Sequence, residues 1–204
     1  DGFCLWDSEL TEHDVASSPW KGGRGDVLAE LSAACREAGL GLGLYLSPWD
    51  RASPVYGDSP AYNELFKGQL KEVLKRYGDV FEVWFDGANG EGPNGKRQVY
   101  DWALFRDTVR RLQPQAVIFS DVGPDVRWIG NEHGFAGETC WGMLSPEGHE
   151  PGLAAPPAQE LEAGREDGTR WIPGECDVSI RPGWYYHSEQ DEEVKSLVEL
   201  LAIW

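Results

Sequence analysis

The sequence contains few of the residues that bind metal ions or form disulfide bonds. Its 204 residues include four cysteines and four histidines. Neither residue type recurs at the spacing of a zinc site, and the cysteines lack the paired spacing of a disulfide framework. One of them, Cys35, falls on the apolar face of a predicted helix. We therefore expect buried thiols at Cys4, Cys35, Cys140 and Cys176, and we expect neither a metal nor another cofactor.

Basic residues are also scarce. The chain has 18 lysines and arginines against 35 aspartates and glutamates, which gives a net charge of −17. This charge would repel a phosphate backbone, so nucleic acid is excluded as an expected partner. No apolar run reaches the roughly 18–20 residues that a membrane-spanning helix needs, so no membrane span is expected. The composition, 41% hydrophobic and 12% aromatic, is typical of a globular protein.

The common catalytic and ion-binding motifs are missing as well. The glycines of Gly22–Asp26 (GGRGD) are not followed by the G-K-[ST] ending of a phosphate-binding loop. The segment Asp86–Gly92 (DGANGEG) has Ala88 where a calcium loop needs an oxygen donor. A serine nucleophile elbow is also missing. Carboxylates and aromatic side chains therefore remain as the candidates for chemistry.

Short apolar runs alternate along the chain with segments of helical spacing. The predicted helices are Asp26–Ala38, Tyr62–Tyr77, a segment near Gln98–Leu112, and a last one from about Gln190 onward. The predicted strands are the end of one at Gly2–Trp6, then Leu40–Leu46, Val80–Phe85, Ala116–Phe119, and one near Thr169–Pro173. Continuous apolar strands that alternate with helices predict an α/β fold with a parallel sheet covered by helices.

The predicted connections differ in length according to their direction. Helix-to-strand connections are one or two residues long, whereas strand-to-helix connections are long and include residues 47–61, 86–97 and 121–168. Long loops therefore leave the carboxyl ends of the strands, where parallel α/β folds build their sites. About five strands are recognisable and a closed (β/α)8 barrel needs eight. We interpret residues 1–204 as a fragment of one catalytic TIM-barrel domain that lacks its early strands, with Ser145–Gly168 as an exposed excursion.

Aromatic and acidic residues are concentrated at the predicted carboxyl ends of the strands. An indole face can stack on the C–H face of a sugar ring, while carboxylates and arginine bind sugar hydroxyls. The alternative is that the ten tryptophans fill the core of the fold. The candidates of this region that we carry forward are Trp6, Tyr45, Asp86, Arg127, Trp128, Glu132, Glu138 and Glu175.

Asp86 is the sharpest of these candidates because it directly follows the apolar strand VFEVWF. A carboxylate at this place in a parallel barrel lies at the floor of the pocket. The alternative is a strand-end aspartate that caps the turn into Gly87. Hydrolysis of a sugar needs a second carboxyl group, for which Glu132, Glu138 and Glu175 are candidates, and each of them is equally compatible with a solvated or structural glutamate.

Five blocks of the sequence together resemble the α-L-fucosidases of glycoside hydrolase family 29. They are DGFCLWDSELTEHDVASSPWKGGRGDV, LGLYLSPWDR, FEVWFDGANGEG, SDVGPDVRWIGNEHGFAGET and GECDVSIRPGWYYH. The resemblance runs in order through essentially the whole chain. Within it, SDVGPDVRWIGNE resembles the subfamily that removes α-1,3/1,4-linked fucose from branched oligosaccharides, rather than the subfamily with broad aryl-fucoside activity.

The resemblance implies an exo-acting, retaining hydrolase whose partner is a fucosylated oligosaccharide or glycoconjugate. It makes Asp86 the nucleophile that attacks the anomeric carbon of fucose and forms a covalent glycosyl-enzyme. It makes Glu132, in the segment WIGNE, the acid/base that protonates the departing oxygen and then activates water. Non-catalytic sugar binding on a barrel fold is the alternative outside enzymes, and a broad-specificity α-L-fucosidase is the alternative within them.

The resemblance also suggests which side chains bind the sugar. Arg127 and Tyr45 match positions that contact fucose in the family, and Trp6 and Trp128 are grouped with them as pocket residues. The family pattern begins His-His-Asp-Gly-Phe, whereas this chain starts at the aspartate. The two histidines contact fucose hydroxyls in the family. We therefore hypothesise that residues 1–204 alone do not form a closed barrel or a competent fucose pocket.

Overall fold

The computed structural model describes residues 2–201 and 203. The chain divides into two compact units. The first unit comprises the residues up to 118 together with 151–153, and the second comprises 119–150 and the residues from 154 onward. Each unit has its own parallel strands and its own group of buried apolar side chains.

Helices and parallel strands alternate in the first unit. Its elements are α1 (Val27–Ala38), β1 (Leu42–Tyr45), α2 (Ser59–Arg76), β2 (Val80–Trp84) and α3 (Trp102–Leu112), preceded by a 3-10 helix at Trp20–Gly22. β1 and β2 are parallel, with Leu42 opposite Val80 and Tyr45 opposite Trp84. The carboxyl ends of the two strands therefore lie side by side, and the loops that follow them leave from the same edge.

Two residues, one at each end of α1, explain where this helix begins and stops. The carboxylate of Asp26 accepts a 2.8 Å hydrogen bond from the amide of Ala29, which satisfies one of the free amides in the first turn of α1. Gly39 ends α1 with a φ of 69°, a conformation that glycine adopts without steric cost. β1 begins three residues later, so this stop fixes the short connection between helix and strand.

The core of the first unit is built around aromatic rings on α2 and α3. Tyr62 and Phe66 lie one turn apart on α2, and both are completely buried. The rings of Phe66 and Phe105 lie 4.5 Å apart between their centroids. Phe85, which directly follows β2, packs its ring 5.9 Å from that of Trp102. This packing holds the end of β2 against the helices.

The second unit contains shorter elements. They are β3 (Val117–Ser120, which begins at the end of the first unit), β4 (Val126–Trp128), β5 (Met143–Leu144), α4 (Ala158–Ala163), β6 (Arg170–Trp171), β7 (Gly174–Glu175), a 3-10 helix at Ser188–Glu193, and α5 (Leu197–Leu201). β4 is parallel to both β3 and β7, and β5 pairs with β6 in the antiparallel direction. Leu144, Leu161 and Ile172 form its buried cluster, against which the half-buried Trp128 packs.

The prediction of an α/β fold with parallel strands is confirmed. Most helix and strand predictions in the first unit are also confirmed to within a few residues, with α2 starting at Ser59 rather than at Tyr62. No closed barrel is formed by the strands of residues 2–201 and 203. Within the same part of the chain, none of the helices has the length and apolarity that crossing a bilayer requires.

Several predictions for other segments are wrong in whole or in part. The segment Gly2–Trp6 forms an isolated bridge between Cys4 and Asp14 rather than a strand. The strand predicted near Thr169–Pro173 is present as β6, but it pairs with β5 in the antiparallel direction, and the parallel strand β7 follows it. The predicted loop 121–168 contains β4, and the last helix begins at Leu197 after a 3-10 segment.

The predicted environments of two regions also need correction. The segment Ser145–Gly168 is not simply exposed, because it contains α4 and buries Leu161 to 2% exposure. All four cysteines are free thiols, but only Cys4 is buried. Cys140 and Cys176 are exposed because they lie in irregular segments of the second unit that no apolar helix face covers.

Candidate active site

Asp86 lies two residues beyond the end of β2 and is held by two hydrogen bonds. Its Oδ2 accepts a bond of 2.8 Å from the hydroxyl of Tyr45, and its Oδ1 accepts a bond of 2.7 Å from the amide of Ala88. The residue before it, Phe85, is 1% exposed, whereas Asp86 is half-buried. The carboxylate is therefore anchored to a rigid strand while it remains accessible from solvent.

These two bonds bear on the alternative in which Asp86 only caps a turn. The bond from the Ala88 amide, two residues on, is the contact that such a turn makes. The bond from Tyr45 comes from the neighbouring strand, 41 residues earlier, and a turn does not need it. Asp86 therefore caps the turn and is also oriented by a side chain of the neighbouring strand.

Tyr45 gives this carboxylate an aromatic neighbour. It ends β1, its side chain is 55% exposed, and its ring lies 5.5 Å from the ring of Trp84. The burial of β1 alternates, with Leu42 and Leu44 inside and Tyr45 outside. The phenol therefore stands on the open face of the strand pair, where its hydroxyl reaches Asp86.

The glycines after Asp86 allow close packing of the loop. A Cβ on Gly90 would lie 1.9 Å from Cζ2 of Trp49, so only glycine lets the indole lie against this loop. The indole Nε1 of Trp49 also donates a 3.5 Å bond to the carbonyl of Glu91. On Gly152 a Cβ would lie 2.2 Å from the carbonyl oxygen of Gly87, which shows that residues 151–153 pack against the same loop.

A cavity of 530 Å³ opens next to this loop. His13, Arg51 and Glu91 are among its lining residues, and Asp86 is not. The guanidinium of Arg51 lies 5.8 Å from the centroid of the Trp49 ring, a distance that favours a cation–π contact. The cavity thus has polar walls next to an aromatic ring.

The second unit holds the glutamate candidates. Glu132 is exposed, and its Oε2 accepts a 3.1 Å hydrogen bond from the indole Nε1 of Trp184. Glu138 is exposed in the same irregular segment, and Glu175 lies on β7 opposite Trp128. Each of these carboxyl groups is accessible enough to exchange a proton with a bound molecule or with water.

Trp128 is held in place by a polar contact of its own. Its indole Nε1 donates a 2.5 Å hydrogen bond to Oδ1 of Asp177, while its ring packs on the buried cluster of the second unit. Because the ring is half-buried, part of its surface remains open to a ligand. Asp177 thus fixes the orientation of an indole that the sequence had marked as a pocket residue.

The surroundings of Arg127 differ from those expected of a sugar-binding side chain. It is 0% exposed. Its Nε donates to the carbonyl of Leu161, its Nη1 to the carbonyl of Ile172, and its Nη2 to the sulfur of Cys140. All three guanidinium nitrogens are therefore used inside the second unit, where they connect β4 to α4, to the residue after β6 and to Cys140.

Trp6 also lies inside the protein. It is 5% exposed, and its indole Nε1 donates a 2.8 Å bond to Oε2 of Glu72 on α2. The same carboxylate oxygen accepts a bond of 2.8 Å from the hydroxyl of Ser8. Glu72, which was not among the sequence candidates, thus fastens the first residues of the chain to α2.

Of the predicted residues, the structure joins Tyr45 to Asp86, places Glu132 against Trp184, and buries Trp6 and Arg127. The sequence missed Tyr56 and Tyr100, two buried phenols behind the Asp86 loop. No periodicity marks them, because both lie in irregular segments. Within the described part of the chain, no group of three or more histidine, cysteine or acidic side chains is placed to hold a metal ion.

A family model described as alpha-L-fucosidase matches residues 1–140 of the chain. The chain belongs to the α-L-fucosidase family. The match covers both β1 and β2 and includes Asp86 and Glu132. The two carboxylates singled out from the sequence therefore lie within the part of the chain that defines this family.

Curated relatives extend the similarity to α-L-fucosidase family members in plants. A relative from Oryza sativa subsp. japonica is 53% identical over 204 residues, which are 100% of this chain and 38% of the relative. Alpha-L-fucosidase 1 of Arabidopsis thaliana is 50% identical over 204 residues, which are 100% of this chain and 39% of that protein. The chain thus spans less than two fifths of the length of these relatives.

Comparison with a solved structure shows that the similarity extends to the fold. A Ruminococcus gnavus GH29 fucosidase in complex with fucose is 34% identical, with a TM-score of 0.82. The similarity covers 100% of this chain and 45% of that one. This chain is therefore similar in structure to part of an α-L-fucosidase family member that binds fucose.

Proposed function

We propose that the protein carrying this chain is an exo-acting, retaining α-L-fucosidase that removes terminal α-1,3/1,4-linked fucose from oligosaccharides or glycoconjugates. The observation that carries the proposal is the Asp86 carboxylate, anchored at a strand end by Tyr45 and Ala88 in a chain of the fucosidase family. The fucose bound by the Ruminococcus gnavus relative supports the sugar, and the segment SDVGPDVRWIGNE supports the linkage.

We also propose that residues 1–204 form part of a single (β/α)8 barrel domain. The parallel strands of each unit and the long loops after β1 and β2 support this architecture. In such a barrel the loops at the carboxyl ends of the strands build the active site. Asp86 and Tyr45 stand at this end of their strands, as a catalytic role in a barrel requires.

In the first step the Asp86 carboxylate attacks the anomeric carbon of fucose while the glycosidic C–O bond breaks. Glu132 gives its proton to the departing oxygen, and a covalent fucosyl ester on Asp86 results. In the second step Glu132 takes a proton from water, which attacks the same carbon and releases Asp86. Two inversions at one carbon retain the anomeric configuration.

The two hydrogen bonds to Asp86 orient its carboxylate and stabilise its negative charge during this cycle. Tyr45 and Ala88 each donate to one carboxylate oxygen, and charge-assisted bonds of this kind fix the orientation of an ionised carboxylate. They strengthen when the ester breaks and the negative charge returns to Asp86, because the charge develops where the donors already point. The geometry therefore favours release of the second product.

Glu132 is proposed as the acid/base because it is the glutamate of the WIGNE segment. The indole of Trp184 holds one of its oxygens at 3.1 Å and leaves the other for the substrate. Glu138 and Glu175 remain the alternatives, and both have accessible carboxyl groups.

Substitution of Asp86 tests the proposal directly. Asp86→Gly should lower the hydrolysis of 4-nitrophenyl α-L-fucoside by at least about a thousandfold, because the nucleophile is lost. Azide should restore part of the turnover and give the β-fucosyl azide, since azide then attacks from the face that the carboxylate used. Asp79→Asn, at the exposed opposite end of β2, is the matched control and should retain wild-type turnover.

The product of rescue decides the assignment. An α-fucosyl azide from Asp86→Gly would identify Asp86 as the acid/base and overturn its role as nucleophile. Comparison of the aryl fucoside with a Lewis-type trisaccharide tests the linkage. A higher kcat/KM for the trisaccharide is expected, and a preference for the aryl fucoside would favour broad specificity instead.

A further inference from the structure

Three buried tyrosines lie behind the loop that carries Asp86. Tyr56 and Tyr62 are completely buried, and Tyr100 is 8% exposed. They come from three segments of the first unit: the loop before α2, α2 itself, and the residues before α3. Their hydroxyl groups meet at backbone carbonyls of the loops that follow β1 and β2.

The Tyr100 hydroxyl contacts two backbone carbonyls, one more than either of the other two phenols. It lies 2.9 Å from the carbonyl oxygen of Ala88, 3.0 Å from that of Pro48, and 2.9 Å from the hydroxyl of Tyr56. Pro48 belongs to the loop after β1 and Ala88 to the loop after β2. One side chain therefore touches both loops at the strand ends where Tyr45 and Asp86 stand.

A phenol has a single proton to donate, so the contacts can be ordered. Tyr62 lies 2.7 Å from the Pro48 carbonyl and already satisfies it. The Tyr100 proton is therefore free for Ala88, the shorter of its two carbonyl contacts. With the Tyr100 proton on Ala88, the 2.9 Å contact between the two phenols needs the proton of Tyr56, whose nearest carbonyl, that of Gly90, lies at 3.3 Å.

The resulting chain of donors runs from Tyr56 to Tyr100 to the carbonyl of Ala88. A hydroxyl that accepts one hydrogen bond donates the next one more strongly, so the bond from Tyr56 strengthens the bond from Tyr100 to the Ala88 carbonyl. Burial raises the pKa of Tyr100 far above its usual value, so the phenol keeps the proton that it donates. The Ala88 carbonyl therefore has a fixed donor.

We propose that Tyr100 is a positioning residue for Asp86, because its hydroxyl fixes the carbonyl of Ala88 while the Ala88 amide binds Oδ1 of Asp86. Ala88 is held on both sides, at 2.9 Å by Tyr100 and at 2.7 Å by the carboxylate. Tyr100 does not touch the substrate in this role. The kinetic part of the inference rests on the proposed fucosidase function, and the structural part does not.

The test compares two single-atom deletions in the protein that carries this chain. Tyr100→Phe removes the hydroxyl that holds Ala88, and Tyr77→Phe removes a buried hydroxyl that donates to Asp26 rather than to either loop. We expect Tyr100→Phe to lower kcat for 4-nitrophenyl α-L-fucoside by about 10- to 100-fold with KM within about twofold, since small misplacements of a reacting group cost this much. Tyr77→Phe should keep kcat within about threefold of wild type.

Tyr56→Phe is the second variant, in case Tyr100→Phe does not fold. It removes the donor to Tyr100 and leaves all the buried rings, so its kcat should fall by a smaller factor than that of Tyr100→Phe. Equal kcat losses in Tyr77→Phe and in the variant at Tyr100 or Tyr56 would show a general effect on packing and overturn the positioning role.

A crystal structure of the Tyr100→Phe or Tyr56→Phe variant provides a readout that needs no activity. The distance from the Ala88 amide nitrogen to Asp86 Oδ1 should lengthen from 2.7 Å to beyond about 3.5 Å in Tyr100→Phe, and by a smaller amount in Tyr56→Phe. An unchanged distance would overturn the proposal even if kcat fell. If the wild-type protein hydrolyses no fucoside, the proposed function fails, and this distance still decides whether Tyr100 positions Asp86.

Discussion

The hydroxyl of Tyr45 donates a 2.8 Å hydrogen bond to Oδ2 of Asp86 and so joins the ends of two parallel strands. The register produces this pair, because Tyr45 lies opposite Trp84 and Asp86 follows two residues later on the same side. Successive side chains of a strand point to opposite faces, so a slip of one residue would turn Tyr45 away from Asp86. The pair therefore depends on the strand pairing as much as on the two side chains.

Tyr45→Phe should reduce catalysis without reducing stability. The change removes the donor that orients Oδ2 of the nucleophile, and misplacement of a reacting group costs about 10- to 100-fold, so kcat/KM should fall by about this factor. The ring is 55% exposed and remains in place, so the urea midpoint should stay near that of wild type. Steady-state kinetics and urea unfolding check the two parts, and an unchanged kcat/KM would show that Asp86 does not need this donor.

Glu132→Ala should lower turnover in a way that depends on the leaving group. A fucosylated oligosaccharide needs a proton on its departing oxygen, whereas 4-nitrophenolate departs readily without one. We therefore expect a loss of about 10²–10³-fold on the oligosaccharide and a much smaller loss of the first step on the aryl fucoside, measured in pre-steady-state experiments.

Glu138→Ala and Glu175→Ala are the matched controls for this experiment. Each removes a carboxyl group from the second unit without removing the acceptor of the Trp184 indole. Both should affect the two substrates equally. A leaving-group-dependent loss in one of them, with none in Glu132→Ala, would move the acid/base role to that residue.

The sequence predicted the elements whose signals are local. Asp26 and Gly39 mark the two ends of α1, and Asp86 follows an apolar run that is clearly a strand. α2 starts earlier than predicted because its first turn, Ser59–Ala61, carries no periodic apolar residue. β4 has only three residues, too few for an alternation or an apolar run to be recognised.

The candidate site required information that the sequence does not contain. Arg127 was interpreted as a sugar-binding residue because it matches a position that contacts fucose in the family. Its burial depends on carbonyl acceptors 34 and 45 residues away, which only the folded chain brings together. Tyr100 escaped notice for the same reason, since its partners Pro48 and Ala88 lie on two different loops.

Arg127→Lys should destabilise the protein strongly. A lysine ammonium cannot reach three acceptors in the fork geometry of a guanidinium, and the two buried carbonyls cost about 1–3 kcal/mol each when left unpaired. We expect a loss of about 2–5 kcal/mol, seen as a fall of several degrees in the thermal midpoint followed by circular dichroism. Arg165→Lys, at a surface pair with Asp167, should change the midpoint little, and equal effects of the two changes would contradict the structural role of Arg127.

Buried acidic groups should make the fold sensitive to alkali. Burial raises the pKa of Cys4 to about 12 and also raises those of Tyr56, Tyr62, Tyr77 and Tyr100 above their usual range. At high pH the unfolded chain has released protons that the folded chain still holds, so the free energy of unfolding falls as the pH rises. For Cys4 this contribution is complete below pH 9.0 and is lost as the pH rises to about 12. Far-ultraviolet circular dichroism against pH should therefore show an alkaline unfolding transition.

The buried phenols should ionise within this same transition. Their phenolate absorbance should rise together with the loss of helical signal, because each of them loses its proton readily only after it reaches water. The slope of stability against pH is about 1.4 kcal/mol per pH unit for every proton released on unfolding, so Tyr62→Phe should make it shallower by up to this amount. Urea midpoints measured at several alkaline pH values check this, with the neutral-pH midpoint of the same variant as its reference. A slope unchanged by Tyr62→Phe would mean that the Tyr62 phenol already ionises in the folded protein, contrary to its complete burial and its 2.7 Å bond to Pro48.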